Sequence, residues 1–166
     1  MTDTATEQSD EAPNDPLGQL DKSFLGGFNE LLGLKIDERG PDTVRGHVTI
    51  HAGLLQPYGI VHGGVYASLA ESVASLAGAT WNLARVPAHV QSRTVGVSNA
   101  TSFLRAVREG TLTIIATPLH RGRTLQLWQV LITDESGRLV AKSDVRLANL
   151  DPSPEAWPDV SGATRS

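Results

Sequence analysis

Between Gly63 and Ala84 the chain carries a single charged side chain, Glu71. No other feature constrains the fold as strongly. Val65, Leu69, Val73, Leu76 and Leu83 recur at helical spacing and fall on one stripe. The opposite side is built of Ala, Ser and Gly. A helix lying on a protein surface needs Lys, Arg and Glu on its outer side, and this one has almost none. The spacing therefore predicts a long helix to about Leu83, surrounded on most sides. Its small-residue face leaves room for another backbone or subunit to approach.

Strands are expected on both sides of that helix. Val44, Val48 and Ile50 alternate with Arg45, His47 and Thr49, and Leu139, Ala141, Val145 and Leu147 alternate with Arg138, Lys142, Asp144 and Arg146. Residues 95–103, 112–119 and 125–132 are rich in Thr, Val, Ile and Leu. Turn signals divide them at residues 108–110, 120–123 and 134–137. Short connections favour antiparallel neighbours. A short helix over residues 24–32 would put Phe24, Phe28, Leu31 and Leu32 on one face, although two glycines interrupt it. The class read from this pattern is α+β, an antiparallel sheet wrapped around one central helix.

The tails differ from this middle. Residues 1–21 hold six acids and no Lys or Arg, with few large apolar side chains, and are expected to be a disordered acidic tail. Residues 151–166 are Pro-rich and are expected to be a flexible tail, with Trp157 as the side chain able to dock. The domain is thus residues 22–150. The overall charge of −4 leaves that domain at +4, with ten Arg among its thirteen basic residues. Such a balance suits a small polyanionic ligand better than duplex nucleic acid, and it is equally what a solvated surface gives.

Other function classes lose support here. No apolar run is long enough to span a bilayer, and the N-terminus lacks the basic and apolar regions of a secretory signal, so a cytoplasmic protein without membrane insertion is expected. The absence of Cys removes disulfides, thiolate metal sites and a cysteine nucleophile. His47, His51, His62, His89 and His120 lack metal-site spacing, and no nucleophile elbow, zinc-protease helix or phosphate loop is present.

Two features can carry chemistry. Glu71 has no Lys or Arg one turn away, and on a central helix its carboxylate would be partly desolvated, a cost that calls for a reason. Ser75 at i+4 and Ser68 at i−3 share its face, where a hydroxyl could orient water or simply bond back to the helix. The second feature is His62-Gly63-Gly64 at the helix start. The first N–H groups of a helix lack internal partners, and glycines let a ligand oxygen approach them. A carbonyl gaining negative charge would be stabilised there. The plainer reading is a loop end with His62 as a cap. Gln56, six residues upstream, adds an amide.

Residues 56–75 (QPYGIVHGGVYASLAESVAS) resemble the hotdog-fold acyl-CoA thioesterases. The nearest branch holds the phenylacetate-pathway, enterobactin-pathway and Arthrobacter-type 4-hydroxybenzoyl-CoA thioesterases. The resemblance continues through residues 95–105, 120–125 and 134–140 and covers residues 24–150. It implies a sheet curled around the helix, two copies pairing into a dimer with a continuous sheet, and two dimers stacking into a homotetramer. It places the active site between subunits, with the carboxylate from one and the Gln/His-Gly loop from the other. Matched position by position, Glu71 is the catalytic acid and Gly63 N–H the carbonyl donor. His62 and Gln56 surround the thioester, Gly64 adjoins the substrate, and Ser75 positions water. Arg121, Arg123 and Thr124 on one turn are expected to hold the CoA phosphates, for which Arg is well suited; Arg93, Arg105 and Arg108 are further candidates. No metal or redox cofactor is implied, because CoA belongs to the substrate. Acyl-carrier protein is a second conceivable donor. Tyr66, Trp81 and Trp128 are candidates for an acyl pocket or for plain core.

The expected activity is hydrolysis of an aryl- or medium/long-chain acyl-CoA. Two other classes compete: a non-catalytic acyl-CoA or acyl-carrier-binding protein on the same fold, and a hydratase or dehydratase. The intact set of Glu71, His62 and Gln56 argues against the former. The latter would carry an Asp and His in a loop motif that is absent.

Overall fold

The computed structural model describes residues 24–85 and 93–150. Both expected tails, Trp157 included, and His89 lie outside the described residues. The elements are α1 (Phe28–Leu32), β1 (Lys35–Arg39), β2 (Val44–Thr49), a 3-10 turn (Ala52–Leu54), α2 (Gly63–Leu83), β3 (Arg93–Phe103), β4 (Thr111–Arg121), β5 (Leu125–Thr133) and β6 (Leu139–Leu150). The strands form a six-stranded antiparallel sheet in the order β1-β2-β4-β5-β6-β3. The expected α+β class is the one observed.

α2 lies across the sheet and meets β2, β3, β4, β5 and β6. The apolar stripe read from the sequence forms the centre of the core. Leu69, Val73 and Leu76 are buried together with Leu112, Ile114, Trp128, Val130, Ile132 and Leu147. Alternation along β4 and β5 sends every second residue into this core.

Two differences from the expected elements have local causes. The helix foreseen over residues 24–32 is broken at Gly27, whose φ of 62° is left-handed, and only Phe28–Leu32 continues as α1. Of its apolar side chains Leu32 is buried, whereas Phe28 and Leu31 are 60% and 73% exposed. β1 is the second difference. Its sequence, KIDER, has no alternation, and it is held by pairing to β2 at the sheet edge.

β3 forms the other edge. It pairs with β6 along its whole length, and its second side has no strand beside it among the described residues. Val95, Val97 and Phe103 on it are exposed. A bulge between Gly96 and Ser98 shifts its register.

A polar cluster ties the β4–β5 turn to α2. The buried Gln126 amide donates to Gly78 O at 3.3 Å and to Asn149 Oδ1 at 2.5 Å, and accepts from Trp128 Nε1 at 2.7 Å. Asn149 in turn donates to the carbonyls of Gly122 and Arg123, each at 3.1 Å. Every partner in this group is satisfied, which makes it a rigid strut.

Candidate active site

The start of α2 is built as a cap with one donor to spare. His62 is the N-cap, in extended conformation, and its Nδ1 accepts from Gly64 N–H at 2.9 Å. In the neutral ring the proton is then on Nε2, so His62 can donate a hydrogen bond from its outer nitrogen but not accept one there. Gly63 N–H has no acceptor among the described residues. The ring of Phe103 lies over Gly63, 3.0 Å from where a Cβ would stand.

The loop before the helix is braced from several sides. Leu55 and Val61 form an isolated antiparallel bridge, and the turn between them closes through Gln56 N–H to Ile60 O and Gly59 N–H to Gln56 O, both 2.8 Å. Arg108 donates to the carbonyls of Tyr58 and Gly59 at 3.2 and 3.1 Å. His62 N–H is held by Leu54 O at 2.9 Å. Gln56 and Gly63 thus line one side of the helix start, and His62 and Gly64 line the other.

Glu71 stands elsewhere on the helix. Eight residues beyond Gly63, at 1.5 Å per residue, it is about 12 Å further along the axis. It is half-buried. Asn99 of β3 donates from Nδ2 to Glu71 Oε2 and to Ala67 O, both at 3.0 Å. The other carboxylate oxygen, Oε1, lies against the backbone of Gly96, in the space a side chain there would fill. Helix and strand run in opposite directions, so Gly63 meets Phe103 while Glu71 meets Gly96. Ser75 lies one turn past Glu71, half-buried on the same side.

Asn99 is a site residue that the sequence reading misses. Thr101 Oγ1 donates to Asn99 Oδ1 at 2.7 Å and meets Ser143 Oγ at 2.8 Å. The bulge turns it inward, and nothing in its residue type marks that turn. Thr94 and Gly96 face the helix before the bulge, and Asn99, Thr101 and Phe103 after it, so the inward parity changes along the strand.

Two open cavities, each of about 420 Å³, flank the start of α2. One is lined by Gln56, Gly63, Tyr66, Phe103 and Arg105, the other by Phe28, Leu31, Leu55, His62, Gly64 and Ser68. Tyr66 is 3% exposed and its hydroxyl has no hydrogen-bond partner among the described residues. Burial pushes its phenol above the usual tyrosine range. Of the other two candidate pocket aromatics, Trp128 is core, and Trp81 lies under the guanidinium groups of Arg85 and Arg121 at 4.3 and 5.5 Å.

The arginines divide by what already holds them. Arg121 pairs with Asp42 at 2.7 Å and donates to Pro41 O at 2.8 Å, and Arg105 donates to Leu139 O at 2.8 Å. Arg123 and Thr124 are exposed at the β4–β5 turn, and Arg123 has no ion pair among the described residues. That turn is the one braced against Gly78, seven residues past Glu71 toward the C-terminal end of the helix.

Residues 58–141, which hold α2, Glu71, Asn99 and the β4–β5 turn, match the family model of the thioesterase superfamily. The chain belongs to that superfamily. This thioesterase is 44% identical to Rv1847 of Mycobacterium tuberculosis over 76% of its own length and 89% of that protein's. The structure of Rv1847 superposes with a TM-score of 0.71, covering 76% of this chain and 98% of that one. The 1,4-dihydroxy-2-naphthoyl-CoA hydrolase of Escherichia coli is 32% identical, over 75% of this chain and 88% of the relative. A thioesterase structure from Haemophilus influenzae, 29% identical, superposes at a TM-score of 0.74 over 86% of this chain and 96% of that one. The fold is the hotdog fold that the resemblance implied. No helix among the described residues of the thioesterase is long and apolar enough to cross a membrane.

Proposed function

We propose that this thioesterase hydrolyses an acyl-CoA to the free acid and CoA, with Glu71 as the reacting carboxylate. The observation that carries this reading is the pairing of two features on one helix: a carboxylate with both oxygens placed by β3, and a Gly63 N–H without an acceptor among the described residues. The thioester carbonyl accepts from Gly63 N–H, with the His62 Nε2 proton and the Gln56 amide beside it. Along one route Glu71 takes a proton from water, assisted by Ser75, as the water oxygen bonds to the carbonyl carbon; the oxyanion then collapses and the C–S bond breaks, with the proton passing to the thiolate. Along the other, a Glu71 oxygen bonds to the carbonyl carbon, CoA thiolate leaves, and water cleaves the resulting anhydride.

The separation of about 12 Å between Gly63 and Glu71 on one helix exceeds the span of a single thioester. Two copies resolve this. Joined antiparallel along the open edge of β3, each would bring its Gly63 loop toward the other's Glu71, giving a homodimer that can stack into a tetramer. Val95, Val97 and the small-residue face of α2 supply the surface. Arg123 and Thr124, with Arg121 behind them, would hold the CoA phosphates, and Gly64 would adjoin the substrate. The reading calls on no metal or redox group and suits a cytoplasmic enzyme. The acyl class is aryl or medium/long-chain aliphatic; the name of the E. coli relative favours aryl. Acyl-carrier protein is the alternative donor.

Thiol release from benzoyl-, phenylacetyl-, hexanoyl-, decanoyl- and palmitoyl-CoA tests this directly, because the chain has no Cys to react with the reagent. Glu71→Gln is expected to lower kcat by about 100-fold or more. Binding of acyl-CoA without thiol release would replace the proposal with a non-catalytic binding protein.

A further inference from the structure

We propose that Asn99 is the positioning residue for the reacting carboxylate, holding Glu71 Oε2 so that Oε1 is the oxygen that works. This rests on the reading of Glu71 given above. Asn99 stands on β3, outside the helix-start motif, and its orientation follows from hydrogen-bond logic alone. Its Oδ1 accepts from Thr101 Oγ1 at 2.7 Å, and its Nδ2 faces two acceptors, Ala67 O and Glu71 Oε2, each at 3.0 Å. Turning the amide over would set Oδ1 against both of those oxygens.

Thr101 spends its proton on Asn99, so the 2.8 Å contact with Ser143 must be donated by Ser143, which is fully buried. The chain Ser143 to Thr101 to Asn99 to Glu71 therefore has one direction and ends on a single carboxylate oxygen. Gly96 completes the arrangement by leaving Oε1 a space on the strand backbone. One oxygen is thus taken up by a hydrogen bond, while the other rests on the Gly96 backbone and accepts none among the described residues, so its lone pairs are left for a proton or a carbonyl carbon.

The test compares wild type, Glu71→Gln, Asn99→Ala, Asn99→Asp and Thr101→Val on the best substrate of the acyl-CoA panel, with thermal melts as the folding control. Asn99→Asp keeps the volume and the acceptor for Thr101 but removes the donor to Glu71 and sets a second carboxylate beside it, so it is read together with the uncharged Asn99→Ala. Both Asn99 variants are expected to lose about 10- to 100-fold in kcat with KM within about twofold. Thr101→Val, which frees the amide to turn, is expected to lose less. A wild-type kcat in Asn99→Asp, or a loss confined to KM, overturns the proposal. Should Asn99→Ala not fold, Asn99→Asp and Thr101→Val carry the same comparison. Full turnover in Glu71→Gln, or none in wild type, sinks the reading of Glu71 itself and this inference with it. A dead Glu71→Gln beside fully active Asn99 variants removes only the inference.

Discussion

Glu71 and Gly96 share one space: an oxygen of the carboxylate stands where a side chain at position 96 would begin. The helix residue can approach β3 this closely because the strand offers bare backbone at the bulge. Gly96→Ala is therefore expected to swing the carboxylate off the strand. It should lower kcat by about 10- to 100-fold while the melting temperature changes little, since the strand itself accepts alanine. Steady-state kinetics beside a thermal melt checks this, and an active Gly96→Ala would show that the close approach is dispensable.

Mixed dimers test whether the site is shared. Glu71→Gln and Gly63→Val homodimers should each be inactive. Co-expressed and purified as a heterodimer, they place both lesions in one site and neither in the other, so about half of the wild-type turnover per dimer should return under the shared-site geometry. If every site drew its parts from one chain, the heterodimer would stay inactive.

The hairpin between β5 and β6 carries a pH-dependent contribution to stability. Asp134 Oδ1 accepts from the N–H groups of Ser136 and Arg138 at 2.9 and 3.0 Å, and Oδ2 meets Arg138 Nε and Nη2 at 2.8 and 2.7 Å. The hydrogen-bonded Arg138 side chain is the main reason its carboxyl lies below the usual carboxylate range. A lowered native value means that the stabilisation is complete above the ordinary Asp range and is lost as the pH falls through the lowered one. Asp134→Asn should melt lower than wild type at neutral pH, and the gap should close in acid. Melting curves across pH 2 to 7 would reveal a gap that persists, which would contradict this account.

Tyr66 offers a substitution in the opposite direction. Its hydroxyl is buried and has no partner among the described residues, a state that costs about 1–3 kcal/mol. Tyr66→Phe keeps the ring against Phe103, 6.2 Å between centroids, and removes the polar atom. The variant should be as stable as wild type or more so, by up to about 1 kcal/mol, in urea unfolding. A clear destabilisation would mean that the hydroxyl has a partner in the assembled protein.

The parts of the fold that were legible in advance are those with a strong period. α2 stands out because Glu71 is its only charge, β2 and β6 because their residues alternate, and β4 and β5 because Thr, Val, Ile and Leu gather between turn signals. β1 was invisible for the converse reason: KIDER has no apolar face, and its pairing with β2, not its composition, makes it a strand. α1 was half-legible, since its residues repeat at helical spacing but Gly27 breaks the run. Within the site, the glycines and His62 were readable as a helix start, and the cap to Gly64 follows from that. Asn99 was not, because Ser98, Asn99, Ala100 and Thr101 are all small and read alike on either face. Only the bulge decides which of them turns inward. The competing demands on Arg121 were equally hidden, for Asp42 is far from it in sequence and arrives through the fold.

The open side of β3 has one further consequence. After Arg93, from Thr94 to Phe103, the strand bears no charge and no proline, the devices by which exposed edges are ordinarily kept from sticking. A copy left alone would carry an adhesive edge through synthesis and dilution. Solubility should then depend on how fast that edge finds its match, and a variant engineered to stay single would need a guard on it, such as lysine in place of Val97.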